Sequence, residues 1–416
     1  MFKNMKKLAI VLMVALLITG CSTKKEPEKG NDDAFTITVW YHPYVGAEKK
    51  DDLMKAFAGM ETEFKSKYEK ATVVFEEIPW ADREQKITTT LAANQGPDIY
   101  YLIPDQLTQF AENGLVQPLN AYLGDMDMSD FSEQKLASVT YKGELYGLPI
   151  LRESQTLFYN KAILEEIGGD ANNLPKTWEE FDALGQKAVD KGYYARTYDG
   201  SNTLNSSLYP LIWQAGGDIV NEKNEISINN EKSVKAFEKV NEWYQNGFIS
   251  KESITSEDAA PLFLEGKTLA IWNTGAMISL MEDAGMEFVI GTPLKEEKEV
   301  TFGVTGAFVV SSKSKNPEMA AKFVEVMTNT ENSREFNKVT GYIPPRQSAQ
   351  DIFDGNENMK KMAEYVQIAS PGVIHPKARV FMPDLQANVQ AMLEGKLTPQ
   401  EAADEAAKII QNHIDQ

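Results

Sequence analysis

The chain has 416 residues and a formal net charge of −19 at pH 7, because 61 Asp and Glu residues outnumber 42 Lys and Arg residues. Nucleic acids and anionic lipid surfaces repel a chain this acidic, since phosphate recognition depends on lysine and arginine. The length is sufficient for two lobes, each with its own hydrophobic core. Charge and length therefore argue against a nucleic-acid partner and favour a large globular body.

The N-terminal residues have the pattern of an export signal. Lys3 and Lys6 precede an apolar run at 8–18, which is too short to cross a bilayer as a helix. Cys21 follows directly and is the only cysteine in the chain, so it has no partner for an internal disulfide. This arrangement resembles the lipobox of bacterial lipoproteins. We predict a lipoprotein signal peptide at 1–20 and acylation of Cys21.

The segment that follows the signal is polar. Residues 21–34 have no apolar periodicity and include Pro, Gly and many charged side chains, a composition that is typical of a flexible tether. We therefore expect the protein at the cell membrane, held on the extracytoplasmic face through its lipid anchor alone.

Alternating strands and helices are predicted in the first third of the body. Alternation of apolar and polar side chains indicates strands, and apolar residues at helical spacing indicate helices. The predicted strands are 35–40, 72–78 and 97–103, and the predicted helices are 49–68, 82–93 and 105–113. This order predicts a parallel sheet with right-handed crossovers.

Ligands of such sheets bind beyond the carboxyl ends of the strands. Three loops are predicted to meet at that edge, and they carry Tyr44, Trp80, Asp105 and Gln106. Aromatic and carboxylate groups are therefore expected to converge there. An alternative role for Asp105 is to cap the helix that begins beside it.

The rest of the chain repeats the alternation of strands and longer helices. Capping-box patterns at 177–180 and 398–401 predict two helix N-termini, and Asn316-Pro317 predicts a third. Further strands are predicted at 145–150, 269–272, 288–292 and 307–311.

Several motifs stand in an order that resembles the extracellular solute-binding proteins of family 1, the receptors of ABC importers for maltose- and glycerol-phosphate-type ligands. The motifs are GPDI at 96–99, YKGELYGLP at 141–149, LPKTWEEF at 174–181, FLEGKTLA at 263–270 and TGYIPPR at 340–346. Together they span nearly the whole body.

The resemblance implies an α/β, two-lobed periplasmic-binding-protein-like fold, with a ligand cleft between the lobes and several chain crossings. One lobe is predicted to hold 35–145 plus 290–340, and the other 146–289 plus 341–416. The implied function is that of a monomeric binding component, with no cofactor and no metal. It would capture a sugar or oligosaccharide and deliver it to the permease subunits of an ABC transporter.

The resemblance also implies further ligand contacts. The complete predicted set is Tyr44, Trp80, Asp105, Gln106, Glu153, Trp213, Asn273, Tyr342 and Arg379. An alternative for Glu153 is a surface ion pair with Arg152. The chain departs from the sugar-binding pattern at 275–277, where Gly-Ala-Met replaces a Gly-x-Trp stacking platform, and Trp272 or Phe381 is expected to substitute for it.

Aromatic planes and charged hydrogen-bonding groups suit a polyol, because sugar rings have apolar faces and hydroxyl edges. Two other functions stay open. Tyr342 and Arg379 suggest a receptor for a phosphorylated polyol such as glycerol phosphate, and paired carboxylates leave open an exported glycan-active enzyme. No Gly-x-Ser-x-Gly motif occurs, and the three histidines are widely spaced, which argues against a serine esterase or a zinc site.

Overall fold

The computed structural model describes residues 34–80, 83–124, 126, 128–201, 203–221, 223, 225–256 and 258–416, without the side chain of Gln134. The predicted signal peptide, Cys21 and nearly all of the predicted tether lie outside the described residues. Residues 34–416 form one compact unit. Among the described helices, none is both long and apolar enough to cross a bilayer.

Strands and helices alternate along most of the described chain. The strands are β1 (Phe35–Tyr41), β2 (Ala71–Glu77), β3 (Ile99–Leu102), β4 (Thr140–Tyr141), β5 (Glu144–Leu145), β6 (Gly147–Arg152), β7 (Gln155–Asn160), β8 (Tyr194–Arg196), β9 (Thr268–Thr274), β10 (Phe288–Ile290), β11 (Thr301–Phe302), β12 (Thr305–Val310) and β13 (Ala369–Ser370). The helices are α1 (Lys50–Lys67), α2 (Arg83–Ala92), α3 (Pro104–Glu112), α4 (Glu133–Ala137), α5 (Lys161–Glu166), α6 (Trp178–Asp190), α7 (Tyr209–Gln214), α8 (Glu231–Gln245), α9 (Ala260–Leu264), α10 (Met277–Asp283), α11 (Pro317–Met327), α12 (Thr330–Thr340), α13 (Glu357–Tyr365), α14 (Ala378–Leu393) and α15 (Pro399–Ile414).

The first sheet has the strand order β2-β1-β3-β12-β6. β1 is parallel to both β2 and β3, which confirms the parallel arrangement predicted for the first third of the body. β12 is antiparallel to β3 and to β6, a pairing that the local pattern did not predict. The carboxyl ends of β1, β2 and β3 lie at one edge of this sheet.

The second sheet has the order β10-β7-β9-β8. β7 is antiparallel to β10 and β9, whereas β8 is parallel to β9. Small two-stranded sheets pair β11 with β13 and β4 with β5. β3, β6 and β12 of the first sheet and β7 of the second are buried on both faces, as expected for strands that are covered by helices, whereas the edge strand β2 is exposed at alternate residues.

Alternation along the strands places the core on both faces of the first sheet. In β1, Ile37, Val39 and Tyr41 belong to the largest buried cluster, whereas Trp40 belongs to a separate cluster on the other face. The second sheet divides in the same way, since Leu157 and Phe158 of β7 lie in different clusters.

Two of the predicted helix starts have full capping boxes. Thr177 accepts from the backbone of Glu180, and Thr398 accepts from the backbone of Glu401; each glutamate accepts in return from the backbone of its threonine. α11 begins at Pro317 as predicted, without a side-chain cap hydrogen bond.

The chain passes between the two larger sheets three times. β6 of the first sheet leads directly into β7 of the second through 153–154, β10 leads back to β12, and α12, which packs on α1, leads to α13, which packs on β7. The predicted α/β architecture with several crossings is therefore confirmed. The lobe boundaries themselves stay a prediction; the first sheet extends beyond residue 145, because β6 pairs with β12.

Candidate functional site

Aromatic side chains gather at the carboxyl edge of the first sheet. We call His42, Tyr44, Trp80, Tyr101 and Tyr342 the aromatic cluster. The rings of His42 and Trp80 are stacked with centroids 4.1 Å apart and an interplanar angle of 20°. Tyr44 makes edge-to-face contacts with Trp80 at 5.7 Å, with Tyr101 at 5.6 Å and with Tyr342 at 6.3 Å. The predicted residues Tyr44, Trp80 and Tyr342 are thus brought together.

Hydrogen bonds fix the two stacked rings. Trp80 Nε1 donates to the carbonyl of Pro43 at 3.3 Å, and the Nδ1 of His42 lies 3.0 Å from the carbonyl of Ile78. Burial and the nearby charge of Arg83 lower the pKa of His42 to about 3. The imidazole is therefore neutral at physiological pH and acts here as an aromatic plane that supports the indole.

Arg83, the first residue of α2, links the aromatic cluster to the charged groups of the site. Its Cζ lies 5.0 Å from the centroid of the Trp80 ring, within cation–π range. Burial and the charge of Arg379 lower its pKa, whereas Tyr101 and Asp105 act in the opposite direction. Its Nε is buried and makes no hydrogen bond to the described residues. Sequence reasoning missed Arg83, although a cation three residues after Trp80 at the same sheet edge was a usable signal.

Glu153 approaches the same place from the end of β6. Burial raises the pKa of its carboxyl to about 7, and the charge of Arg83 opposes that shift. The charge of Glu153 in turn raises the pKa of Tyr101 and of Tyr342. Glu153 therefore lies within electrostatic range of the aromatic cluster and Arg83, and the site combines a cation, a carboxyl group and aromatic faces.

Asp105 connects the two halves of the protein. Its side chain is 1 % exposed, and Arg379 of α14 lies against it with Nε 2.8 Å from Oδ2 and Nη2 donating to Oδ1 at 3.2 Å. Asn205 donates to Oδ2 at 3.1 Å, and the backbone N–H of Gln106 donates to Oδ1 at 2.8 Å. The carboxylate of Asp105 is thus occupied by protein donors and ties α3 to α14.

Several buried polar atoms of this ion pair's neighbours and of the aromatic cluster make no hydrogen bond to the described residues. Gln106 donates to Glu84 at 3.5 Å, but its Oε1 makes no hydrogen bond to the described residues. The same holds for the Oδ1 of Asn205 and for the hydroxyl groups of Tyr44 and Tyr209. Asp105 also contributes to raising the pKa of the Tyr209 hydroxyl, together with its burial. Such atoms can pair with the hydroxyl groups of a bound solute.

For two predicted residues, Trp213 and Asn273, the described contacts show no direct link to the aromatic cluster or to Asp105. Trp213 of α7 packs in the largest core cluster, with its ring centroid 6.1 Å from that of Tyr209. Asn273 of β9 accepts from the backbone N–H of Thr274 at 2.8 Å. Their roles as ligand contacts stay predictions.

The two substitutes proposed for the stacking platform are also buried. Trp272 donates to Gln155 at 2.6 Å and is 7 % exposed, and Phe381 is completely buried. The indole of Trp80 is less buried than either of them, so it offers the better platform at the site.

Comparisons with known proteins agree with this architecture. The galactooligosaccharide-binding protein of Bacillus subtilis (strain 168) is 25% identical over 440 residues, which cover 99% of this chain and 98% of that protein. The diacetylchitobiose binding protein DasA of Streptomyces coelicolor is 24% identical, with 94% and 93% covered. Among solved structures, the ABC substrate-binding protein Lmo0181 from Listeria monocytogenes, in complex with cycloalternan, superposes with a TM-score of 0.83 at 20% identity. That superposition covers 92% of this chain and 100% of that one, so the fold is shared.

A sequence profile of one protein family matches most of the chain. The match covers residues 60–369 and therefore includes the strands and loops that carry Trp80, Arg83, Asp105, Glu153 and Tyr342. By this match, the chain belongs to the bacterial extracellular solute-binding protein family.

Proposed function

We propose that the chain is the substrate-binding component of an ABC importer, which captures an extracellular sugar or oligosaccharide and delivers it to the membrane permease. The observation that carries this proposal is the convergence of Trp80, Arg83 and Glu153 beside buried polar atoms that make no hydrogen bond to the described residues. These groups come from both sides of the crossing segments, so a ligand between them would contact both halves of the protein.

The chemistry of the site fits a sugar. One face of a pyranose ring is apolar and packs on an aromatic plane such as the indole of Trp80. Its hydroxyl groups can accept from the guanidinium of Arg83 and donate to the carboxylate of Glu153. Hydrogen bonds to charged groups are roughly twice as strong as neutral ones, so these two residues would fix the orientation of the ring.

The names of related proteins support a carbohydrate. One relative is a galactooligosaccharide-binding protein, another is a diacetylchitobiose binding protein, and a protein of the same fold was solved in complex with cycloalternan. These sugars differ in size and linkage, and they supply a panel for the first experiment.

The experiment is a thermal-shift panel of galacto-, malto- and chito-oligosaccharides and glycerol phosphate, followed by calorimetry on every compound that shifts Tm. A ligand at 100 times its dissociation constant stabilises the protein by about 2.7 kcal/mol. We expect a neutral oligosaccharide to give this response. If none of the neutral sugars raises Tm and glycerol phosphate does, the proposal is wrong and the phosphorylated-polyol alternative is right.

One observation favours that alternative. Arg83 and Arg379 lie close enough for the charge of Arg379 to lower the pKa of Arg83, and two guanidinium groups are the donors that a phosphate prefers. Arg379, however, is already paired with Asp105. A phosphate would have to share that pair, which makes a neutral sugar the first choice.

An enzymatic role is tested on the same samples. Labelled oligosaccharide is incubated with the protein and then separated by size. Glycoside hydrolysis requires a pair of carboxyl groups. We expect the sugar to be recovered intact, because the carboxylate of Asp105 is bound by Arg379 and Asn205 and is therefore not assigned to proton transfer. Release of shorter products would contradict a function limited to binding.

We also propose that the protein is a monomer held at the extracytoplasmic face of the cell membrane through an acylated Cys21. The support is the sequence pattern described above. Metabolic labelling with an alkyne fatty acid should mark the wild type, and a Cys21→Ala variant should lose both the label and its retention in the membrane fraction. Unlabelled wild-type protein would contradict the anchor, and light scattering on the body measures its oligomeric state.

A further inference from the structure

A small cavity lies where the chain crosses between the two larger sheets. Its volume is about 60 Å³. The segment that joins β6 to β7 and the segment that joins β11 to β12 both line it, together with α4 and residues around β13. The lining residues are Lys135, Ser138, Arg152, Glu153, Gly303, Val304, Thr305, Val366, Ala369 and Pro371.

Arg152 is the most unusual residue of this cavity. The backbone N–H and C=O groups of Arg152 are paired with Ile343 at 2.8 and 3.0 Å, so the residue is firmly held. The residue is 5 % exposed, yet the guanidinium makes no ion pair or hydrogen bond with the described residues, and its Nε is buried. Burial lowers its pKa to about 10, so it remains a cation at physiological pH.

Lys135 adds a second cation to the same wall. It lies on α4, is 4 % exposed and donates to the carbonyl of Pro345. Burial lowers its pKa to about 8, and the charge of Arg152 acts in the same direction. Two cations therefore face one small cavity, and each raises the electrostatic cost of the other.

The nearby carboxylates do not neutralise these cations. Asp130 favours the charged form of Lys135, but its oxygens accept from the backbone N–H of Ser348 at 2.9 Å and from the hydroxyl of Ser348 at 2.6 Å, and it also pairs with Arg346. Glu153 also lines the cavity, but burial raises the pKa of its carboxyl to about 7, and the cation that acts on it is Arg83. A buried cation without a counter-charge costs several kcal/mol, and the described residues supply none to Arg152, so a bound anion would lower that cost.

We propose that this cavity binds a small inorganic anion between Arg152 and Lys135. An ion from the size of chloride to that of sulfate or phosphate fits the volume, because a single water requires roughly 10–15 Å³ on the same scale. The planar guanidinium can donate two parallel hydrogen bonds to an oxyanion, whereas the ammonium group of Lys135 acts as a point charge. The cavity shares Glu153 with the candidate sugar site, but its two cations, Arg152 and Lys135, have no role in the proposed sugar binding, so the anion proposal does not depend on the sugar.

The test is anion-dependent stability in the absence of sugar. Purified protein in a sodium HEPES buffer is titrated with sulfate, phosphate or chloride in the low millimolar range at constant ionic strength, and Tm is measured. HEPES is too large for the cavity and is not a polyol, so it does not resemble the proposed sugar. We expect a saturating rise in Tm of about 2–4 °C with at least one of the three ions, and their order separates an oxyanion site from a halide site.

The variants locate the response. Arg152→Met should raise Tm in HEPES buffer alone, because it removes an uncompensated buried charge, and it should abolish the anion response. Lys135→Met should weaken that response, and Lys408→Met, which changes an exposed lysine paired with Glu405, should leave it unchanged. The proposal is wrong if no ion gives a saturating response, or if the response persists in both Arg152→Met and Lys135→Met.

A direct measurement covers the case in which Arg152→Met does not fold. Wild-type crystals soaked in bromide, and separately in selenate as the anomalous counterpart of sulfate, should show an anomalous peak between the Nε of Arg152 and the Nζ of Lys135 with at least one of the two ions. Crystals without a peak there after both soaks would overturn the proposal irrespective of the variants.

Discussion

Substitution of Trp80 by alanine tests whether the aromatic cluster is the sugar platform. The indole is stacked on His42 at 4.1 Å, lies under Arg83 at 5.0 Å and donates to the carbonyl of Pro43. It is only partly buried, so part of the indole surface remains accessible to a ligand. A sugar ring that covers roughly 50 Å² of that surface gains about 1.3 kcal/mol at 25 cal/mol per Å².

The expected result follows from these contacts. Trp80→Ala should weaken binding of the oligosaccharide identified in the panel by about tenfold, since 1.4 kcal/mol corresponds to a factor of ten. Loss of the ring contacts should also lower the free energy of unfolding by about 2 kcal/mol, which leaves the protein folded. Isothermal calorimetry measures affinity, and urea denaturation measures stability.

Two control variants separate stacking from a general loss of stability. Trp80→Phe keeps an aromatic plane and should retain most of the affinity. Tyr141→Ala removes an aromatic ring that contacts Lys142 and Glu112 at the surface, and it should leave affinity unchanged. If Trp80→Ala binds the sugar as tightly as the wild type does, Trp80 is not part of the platform and the reasoning from the cluster fails.

Further predictions concern pH dependence and packing. Because burial raises the pKa of Glu153 from 4.5 to about 7, its contribution to stability is present below pH 4.5 and is lost as the pH rises to about 7. The free energy of unfolding of the wild type, relative to that of Glu153→Gln, should therefore fall by up to about 1.4 kcal/mol per pH unit in that window. Urea denaturation measures both proteins, and the same pH dependence of stability in both would contradict this prediction. A Cβ at Gly306 would lie 1.9 Å from the hydroxyl oxygen of Tyr101, so Gly306→Ala should displace that ring, destabilise the protein by about 1–3 kcal/mol and weaken sugar binding in calorimetry. The control is Gly59→Ala in α1, where a Cβ meets nothing within 4 Å; it should stabilise the protein by about 0.5–1 kcal/mol without changing its affinity for sugar. If Gly306→Ala binds the sugar as tightly as Gly59→Ala does, Tyr101 is not part of the site.

Local sequence pattern was sufficient for the individual elements of the first sheet. The apolar and polar alternation of 35–40 predicted β1, and the structure extends that strand by only one residue, to Tyr41. Pairing between distant segments was not predictable in this way. The placement of β12 between β3 and β6 depends on contacts across more than 150 residues, and no short-range periodicity encodes such a neighbour.

The candidate site likewise combines features that the sequence predicted with features that it did not. Topology predicted that Trp80 and Asp105 would share an edge, because both follow parallel strands. It did not reveal Arg83, since the first residue of a helix can point in any of several directions. Arg152 and Glu153 are adjacent in sequence, and the surface ion pair considered for them is absent from the described contacts. Both residues line the cavity, but successive side chains at a strand end point to opposite faces, which agrees with Arg83 acting on the carboxyl group of Glu153 and Arg152 acting on Lys135.

The polar atoms without protein partners explain how such a site can be selective. Tyr44, Arg83, Gln106, Asn205 and Tyr209 each bury a donor or acceptor that makes no hydrogen bond within the described part of the chain. Each such atom costs about 1–3 kcal/mol until it is paired, so a solute that pairs several of them recovers a free energy that an apolar solute of the same shape does not. A site of this kind strongly rejects analogues that lack one hydroxyl group, because one buried polar atom of the protein then stays unpaired and its free-energy cost is not recovered. Aromatic planes alone accept many ring-shaped ligands, so we expect these five polar atoms to decide which sugar the proposed site binds.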